Sequence, residues 1–319
     1  MDPVIVVGAG LSGVACAQEL HAAGHDVVVL DRGRGPGGRM AVREVDGRPV
    51  DTGASYFTVS DDSFAAVVRD WSDRGLARRW TDTFDVFDDG VRGEPKVGNH
   101  RWAAPLGLRS LVADLARDLD LERQTVAAVT HGPRGLQVDG RGARAVVLAM
   151  PDPQAKRLLE ASSSPYELLD DSFEPVLALS AGWAERSWNA RFDGAFVNGD
   201  DQLAWIADDG RRRGDGAPVL VAHSTPTLAT AHLDAPQVAT ESMLRTLTSL
   251  LGIGTAPEWT DVHRWTFARP TGGRDHEYHL GADDIGVCGD AWSQRPRVEA
   301  AYLSGRALGA ALVARLDVV

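Results

Sequence analysis

Three short stretches of this chain combine residue types that handle phosphate, ribose and a flat ring. The first is Gly8-Ala9-Gly10-Leu11-Ser12-Gly13, preceded by the apolar run Val4–Val7 and followed by Val14, Ala15 and Leu20 at helical spacing. A GxGxxG between a buried strand and a helix suits a dinucleotide. Gly8 permits the tight turn, Gly10 lets the pyrophosphate reach the backbone, and Gly13 lets helix and strand pack closely. The helix N-terminus adds N–H donors and partial positive charge. Asp31, 18 residues after Gly13, ends a second buried strand, where a carboxylate accepts from ribose hydroxyls. The bland alternative is a glycine-tolerant turn, and the context with Asp31 weighs against it. The fingerprint does not separate NAD from FAD.

The second stretch, GPGGRMAVREVDGRPVDTGASYF, covers residues 35–57. A ligand that continues past its pyrophosphate needs more backbone it can approach closely. FAD does so through its ribityl arm and isoalloxazine ring. Gly37-Gly38 and Gly53-Ala54 offer such surfaces, and Arg39 can pair with phosphate as a fork. A flexible surface loop explains GRGPGG alone but not the whole run. The third stretch, VCGDAW, puts Asp290 just past a short apolar strand, with a helix starting near Arg297–Glu299. The carboxylate can bond a ribityl or phosphate oxygen. The helix start can face the ring edge that becomes anionic on reduction. By itself this is a plain strand–turn–helix, and the first two stretches turn the reading toward FAD.

Hydride transfer to a flavin needs a donor carbon held in a dry pocket, not a protein nucleophile. No G-x-S-x-G elbow occurs. Pocket candidates are Tyr56, Trp102, His223, Trp265 and Arg269: aromatics to stack a nicotinamide or adenine, Arg269 to meet a phosphate. Each also reads as core or surface structure. The only lysines, Lys96 and Lys156, fall in a loop and on a helix, positions that do not suit a lysine-held water at the flavin. His276-Glu277-Tyr278-His279 lacks HExxH spacing and reads as a solvated turn, so no metal site is expected.

The elements that must position these residues follow from periodicity. Phe64, Val67, Val68 and Trp71 mark an amphipathic helix ending near Gly75, followed by a loop-rich region to about Trp102. Gly107–Leu119 reads as a helix. Strands are expected near 125–130, 136–139, 144–150, 177–182, 203–207, 219–223 and 285–290, and helices over 236–251 and 298–316. Gly305 and Gly309 on the last helix suggest close packing. The fold class is α/β: a Rossmann-type FAD-binding domain built from discontinuous segments 1–60, 105–152 and 282–319, plus a mixed-sheet substrate domain of 61–104 and 153–281. With 319 residues, 44% hydrophobic and a net charge of −12, the chain reads as a globular protein, and its acidity argues against nucleic acid or an anionic membrane as partner. Two cysteines, Cys16 and Cys288, read as buried hydrophobes, and no leader or ~18-residue apolar span is seen, so a cytoplasmic monomer or homodimer is expected.

VVGAGLSGVACAQEL, VLDRGRGPGGRM, DTGASYFTVSDDSF, VVLAMPDPQAKRLL, HRWTFARP and CGDAWSQRPRVEAAYLSGRAL resemble blocks of the FAD-dependent amine oxidase superfamily, and within it the short bacterial renalase group. The end blocks are shared across the superfamily, whose fold is of the amine oxidase and p-hydroxybenzoate hydroxylase type. HRWTFARP and the length favour the renalase group. The resemblance implies non-covalent FAD with contacts at Ser12, Arg39, Ala54 and Asp290. Further candidate contacts in the same blocks are Ala9, Arg32, Met40, Ser55, Gly289 and Val298, with Val126 beyond them. It also implies oxidation of the 2- and 6-dihydro isomers of NAD(P)H to NAD(P)⁺, with O₂ reduced to hydrogen peroxide. An amine oxidase or desaturase-like enzyme, or a redox sensor without catalysis, are the other readings. Ser55, the Trp102-Ala103-Ala104-Pro105 block and Ala300 depart from the family pattern and bear on the substrate.

Overall fold

The computed structural model describes residues 2–133, 135–170 and 172–318. Two compact units emerge: Met1–Met40, Arg109–Phe173 and Pro270–Val319 form the first, Ala41–Leu108 and Glu174–Arg269 the second.

The first unit is built on a six-stranded sheet ordered His279–Leu280, Ile285–Val287, Ala145–Leu148, Val4–Val7, Val27–Asp31, Asp120–Arg123. Five strands run parallel, and only the His279–Leu280 edge is antiparallel. Val4–Val7, Ala145–Leu148 and Ile285–Val287 are buried at every position, as continuous apolar strands covered on both faces must be. Helix Leu11–Ala22 is buried nearly all round. The closing helix Val298–Leu316 lies against it at glycines: a Cβ on Gly305 would fall 2.0 Å from the Ser12 carbonyl oxygen, and one on Gly309 2.8 Å from that of Cys16.

The second unit carries an eight-stranded sheet ordered Trp259–Pro270, Phe173–Gly182, Val219–Ser224, Leu203–Asp208, Gly194–Asn198, Arg78–Asp88, Val91–Arg92, with Lys96–Ala103 also paired to Arg78–Asp88. Helix Thr240–Leu251 buries Met243 and Leu247 in a core with Leu177, Leu179, Ile206 and Leu220. Asp61 caps helix Asp62–Asp73 by accepting from the N–H groups of Ser63 and Phe64.

Several expectations are corrected. The region read as loop-rich up to Trp102 holds the strands Arg78–Asp88 and Lys96–Ala103. Only Phe84 and Phe87 of the first strand are buried and most of the second is exposed, so neither shows an apolar run. The helix expected over Gly107–Leu119 spans Arg109–Leu115, and Asp120–Arg123 is instead a polar edge strand. The segments of the compact units also differ from those read in the sequence: 41–60 and 105–108 lie in the second unit, 153–173 and 270–281 in the first. The hairpin Val42–Val45 with Arg48–Asp51 accounts for the former, since Val50 is buried with Val219 and Val221. Among the described residues no helix is long and apolar enough to cross a membrane.

Candidate functional site

In the first unit the fingerprint turn has the geometry that its glycines predict. Gly8 has φ +110°, and a Cβ there would sit 2.5 Å from the Ala149 carbonyl oxygen. Gly13 approaches the Gly8 carbonyl so closely that a Cβ would lie 2.0 Å from its oxygen. Gly10 is the N-cap of the helix, no side chain caps it, and its first turn holds no acidic residue. Its N–H groups are therefore suited to an anion. Ala9 is fully buried and Ser12 nearly so.

The second glycine stretch lies directly on the first. The Gly37 N–H donates to the Ala9 carbonyl at 2.8 Å, and Gly38, at φ +52°, faces Gly10 so that a Cβ would lie 3.0 Å from the Gly10 Cα. Two backbones this close leave a side-chain-poor rim around the helix start. Met40 is buried, and its N–H returns to the Gly37 carbonyl at 2.9 Å. Arg39 forks onto Asp290 with bonds of 3.1 and 2.5 Å, which joins the second and third stretches. Gly289 has φ +152° with nothing within 4 Å of a Cβ, and its N–H donates to Ser304 Oγ. Asp31 accepts from the N–H groups of Ala9 at 2.7 Å and Gly33 at 2.6 Å, so its carboxylate also shapes the loop.

Other candidates sit apart. Arg32 is exposed, and Val126 belongs to the core with Ile5, Val7 and Leu30. Val298 is half-buried at the start of the closing helix, where Glu299 is fully buried and paired with Arg297 at 2.5 Å. That helix end already holds a carboxylate of its own. Burial pushes the Cys288 thiol up to about 12, with a Ser12 hydrogen bond opposing in part, so it is an inert neighbour of the turn.

In the second unit, residues 51–57 place Gly53, Ser55 and Phe57 inside and leave Ala54 and Tyr56 partly exposed. Trp265 Nε1 donates to the Thr52 carbonyl at 2.8 Å, and His223 also hydrogen-bonds the Thr52 backbone. The structure thus brings these two candidates together. Burial first, then Arg212 and Arg269, lower His223 to about 3, so it is neutral at physiological pH, and its Nε2 is buried without a partner.

Tyr56 joins a different group. Its ring lies 5.3 Å from Phe84, 5.7 Å from Trp205 and 6.4 Å from Trp80, and Phe196 packs 5.1 Å from Trp205. Arg101, 6% exposed, centres its guanidinium 4.3 Å over the Phe84 ring and hydrogen-bonds the Tyr56 phenol. It also donates to the Asp82 carbonyl, and the Thr83 hydroxyl first, with Arg101 in smaller part, holds the Asp82 carboxyl below its ordinary value. Lys96 comes within 5.7 Å of the Phe196 ring. Trp102 is not in this group; it stacks on Phe57 and exchanges backbone hydrogen bonds with it. Arg269 is 58% exposed and 4.0 Å from Glu174.

Sequence reasoning missed Phe84, Arg101, Trp205, Arg212 and Arg213. An alternating aromatic pattern in RRWTDTFDVFD was the one available signal for Phe84; the buried arginines had none, because a charge run reads as a solvated face.

Residues 6–71 match the family model of the NAD(P)-binding Rossmann-like domain. Phytoene dehydrogenase of Streptomyces griseus is 46% identical over 110 residues, 30% of this chain and 22% of its own length. A Mycobacterium tuberculosis protein named as a flavin-containing monoamine oxidase is 39% identical over 116 residues, 31% of this chain and 25% of its own length. The matches thus span a quarter or less of these relatives. The structure of wild-type putrescine oxidase bound to putrescine aligns over 98% of this chain and 99% of its own, with a TM-score of 0.74 at 16% identity. A segment similar to the NAD(P)-binding Rossmann-like domain is therefore present, and the fold is shared with the putrescine oxidase structure.

Proposed function

From a chain with the flavin amine oxidase fold, we propose an FAD-dependent oxidase of the renalase type. It oxidises 2- or 6-dihydro isomers of NAD(P)H to NAD(P)⁺, and O₂ with two protons and two electrons becomes hydrogen peroxide. The residues fit the cofactor. The uncapped helix start at Gly10 and the rim made by Gly38 admit a diphosphate without a side chain in the way. Arg39, already forked onto Asp290, brings positive charge for phosphate, the Asp290 carboxylate oxygens keep lone pairs for a ribityl hydroxyl, and Gly53–Ser55 is a further side-chain-poor stretch. Bound FAD would supply a two-electron acceptor for hydride. The protein's share is to hold the donor carbon close and dry, with Tyr56, Trp102, His223, Trp265 and Arg269 as candidate substrate contacts.

One observation carries the choice of substrate. The aromatic cluster around Tyr56 already holds a buried guanidinium, that of Arg101 over the Phe84 ring. Aromatic faces attract cations, but this one is occupied, and a second positive charge is repelled. A neutral or phosphate-bearing aromatic substrate suits such a cluster; an alkylammonium does not. An amine oxidase or desaturase remains the second reading, favoured by what the relatives are named for.

Purified protein should be yellow, and its flavin should bleach on rapid mixing with borohydride-treated NAD⁺, which contains the dihydro isomers, but not with putrescine. Arg101→Gln should slow bleaching by the isomers about tenfold or more, the loss of one charged contact. Bleaching by amines and not by the isomers would overturn this reading in favour of the second. Colourless protein would overturn the flavin.

A further inference from the structure

A cluster of buried charges lies beneath the run 51–55. Arg212 is fully buried, and its hydrogen bonds to Asp51, Ser55 and Asp209 lie inside the second unit. Its Nη2 donates to the Asp51 carbonyl at 3.0 Å, its Nη1 to the Ser55 carbonyl at 3.1 Å, and its Nε to Asp209 at 3.1 Å, with a further bond from Nη2 to the same carboxylate. Arg48 takes the other Asp209 oxygen at 2.6 Å. Arg213 donates to the Asp51 carboxylate at 3.1 Å, whose second oxygen accepts the Leu108 N–H at 2.8 Å. Burial pushes Asp209 up, but Arg212, Arg48 and Arg213 outweigh it and leave the carboxyl below its ordinary value.

Buried ion pairs seldom repay their desolvation, so their presence is weak evidence of a stabilising purpose. What this cluster does achieve is geometric. One rigid planar cation spans the carbonyls at both ends of a five-residue stretch, and so fixes its curvature. A lysine, whose three donors all sit on one nitrogen, cannot reproduce the fixed two-armed spacing with which the guanidinium reaches both carbonyls and Asp209 together. We propose that Arg212 is a positioning residue, which sets the conformation in which Gly53, Ala54 and Tyr56 meet the cofactor and substrate. The assignment rests on the reading of that stretch as ligand-facing.

The test uses the full chain and two variants: Arg212→Lys, which keeps the charge opposite Asp209, and Arg212→Gln with Asp209→Asn, which removes both charges so that neither is left buried alone. Amide hydrogen exchange is measured without and with FAD, and FAD affinity by quenching of flavin fluorescence. Exchange should speed up within residues 51–57 while Val4–Val7 and Leu11–Ala22 stay protected, FAD should bind about tenfold more weakly, and the visible flavin spectrum should shift. A folded variant with unchanged exchange at 51–57 would overturn the clamp. Faster exchange there with unaltered FAD affinity and spectrum would overturn its role toward the ligand. If the wild-type chain takes up no FAD, the cofactor reading fails, and the ligand-free exchange still decides whether Arg212 holds the run.

Discussion

His223 shows what a single buried side chain imposes. Burial, with Arg212 and Arg269 nearby, keeps its folded pKa at about 3, against an ordinary value of 6.5. Between those values the unfolded chain binds a proton that the folded chain refuses. Stability therefore falls as pH drops through that window, by up to about 1.4 kcal/mol per pH unit for this one group. Above the ordinary value the effect is absent. Urea unfolding of wild type and His223→Gln from about pH 7 to pH 5 should give a shallower decline for the variant; parallel curves would show that His223 is not shielded. The same shielding makes His223 a neutral hydrogen-bonding group rather than an acid catalyst at neutral pH. A lone histidine at the end of a strand carried no such information, because its shift depends first on burial and then on Arg212 and Arg269, all set by the tertiary fold.

At the scale of elements, Gly305 sets how near the closing helix comes to the fingerprint helix. A Cβ at 2.0 Å from the Ser12 carbonyl must force the two apart, since helix backbones cannot yield as a flexible side chain can. Gly305→Ala should cost about 1–3 kcal/mol and lower Tm by several degrees in calorimetry. It should also weaken FAD binding, because Ser12 lies within the turn. A variant as stable as wild type would mean that the helices already have slack. Elements of this kind were legible in the sequence: the βαβ start, the closing helix and Asp62–Asp73 all carry unbroken apolar runs or 3.6-residue stripes. Arg78–Asp88 and Lys96–Ala103 were not, because a sheet that leaves one side to solvent needs few apolar residues. In the candidate site, the glycines and Asp290 could be read because turns and close approaches demand particular residue types. Arg101 and Arg212 could not, because their surroundings are assembled from strands far apart in the chain.

For the whole molecule, a net charge of −12 repels a dinucleotide at long range, whatever Arg39 and Arg101 do locally. Added salt shortens that field more than it weakens buried contacts. The second-order rate of flavin bleaching by NADPH isomers should therefore rise between about 10 and 150 mM ionic strength, and rise more than with the NADH forms, which carry one phosphate fewer. A fall with salt would mean that local arginines govern the encounter. The order of synthesis brings a further consequence. The strand Ala145–Leu148 pairs with Ile285–Val287, and Glu19 of the fingerprint helix binds Arg306 at 2.7 Å. A ribosome that has released only the first half of this chain has thus made the nucleotide turn but not the elements that brace it. The strand Ala145–Leu148 has to wait, with one edge unpaired, until Ile285–Val287 has been made, and in that interval the edge is open to aggregation or chaperone capture.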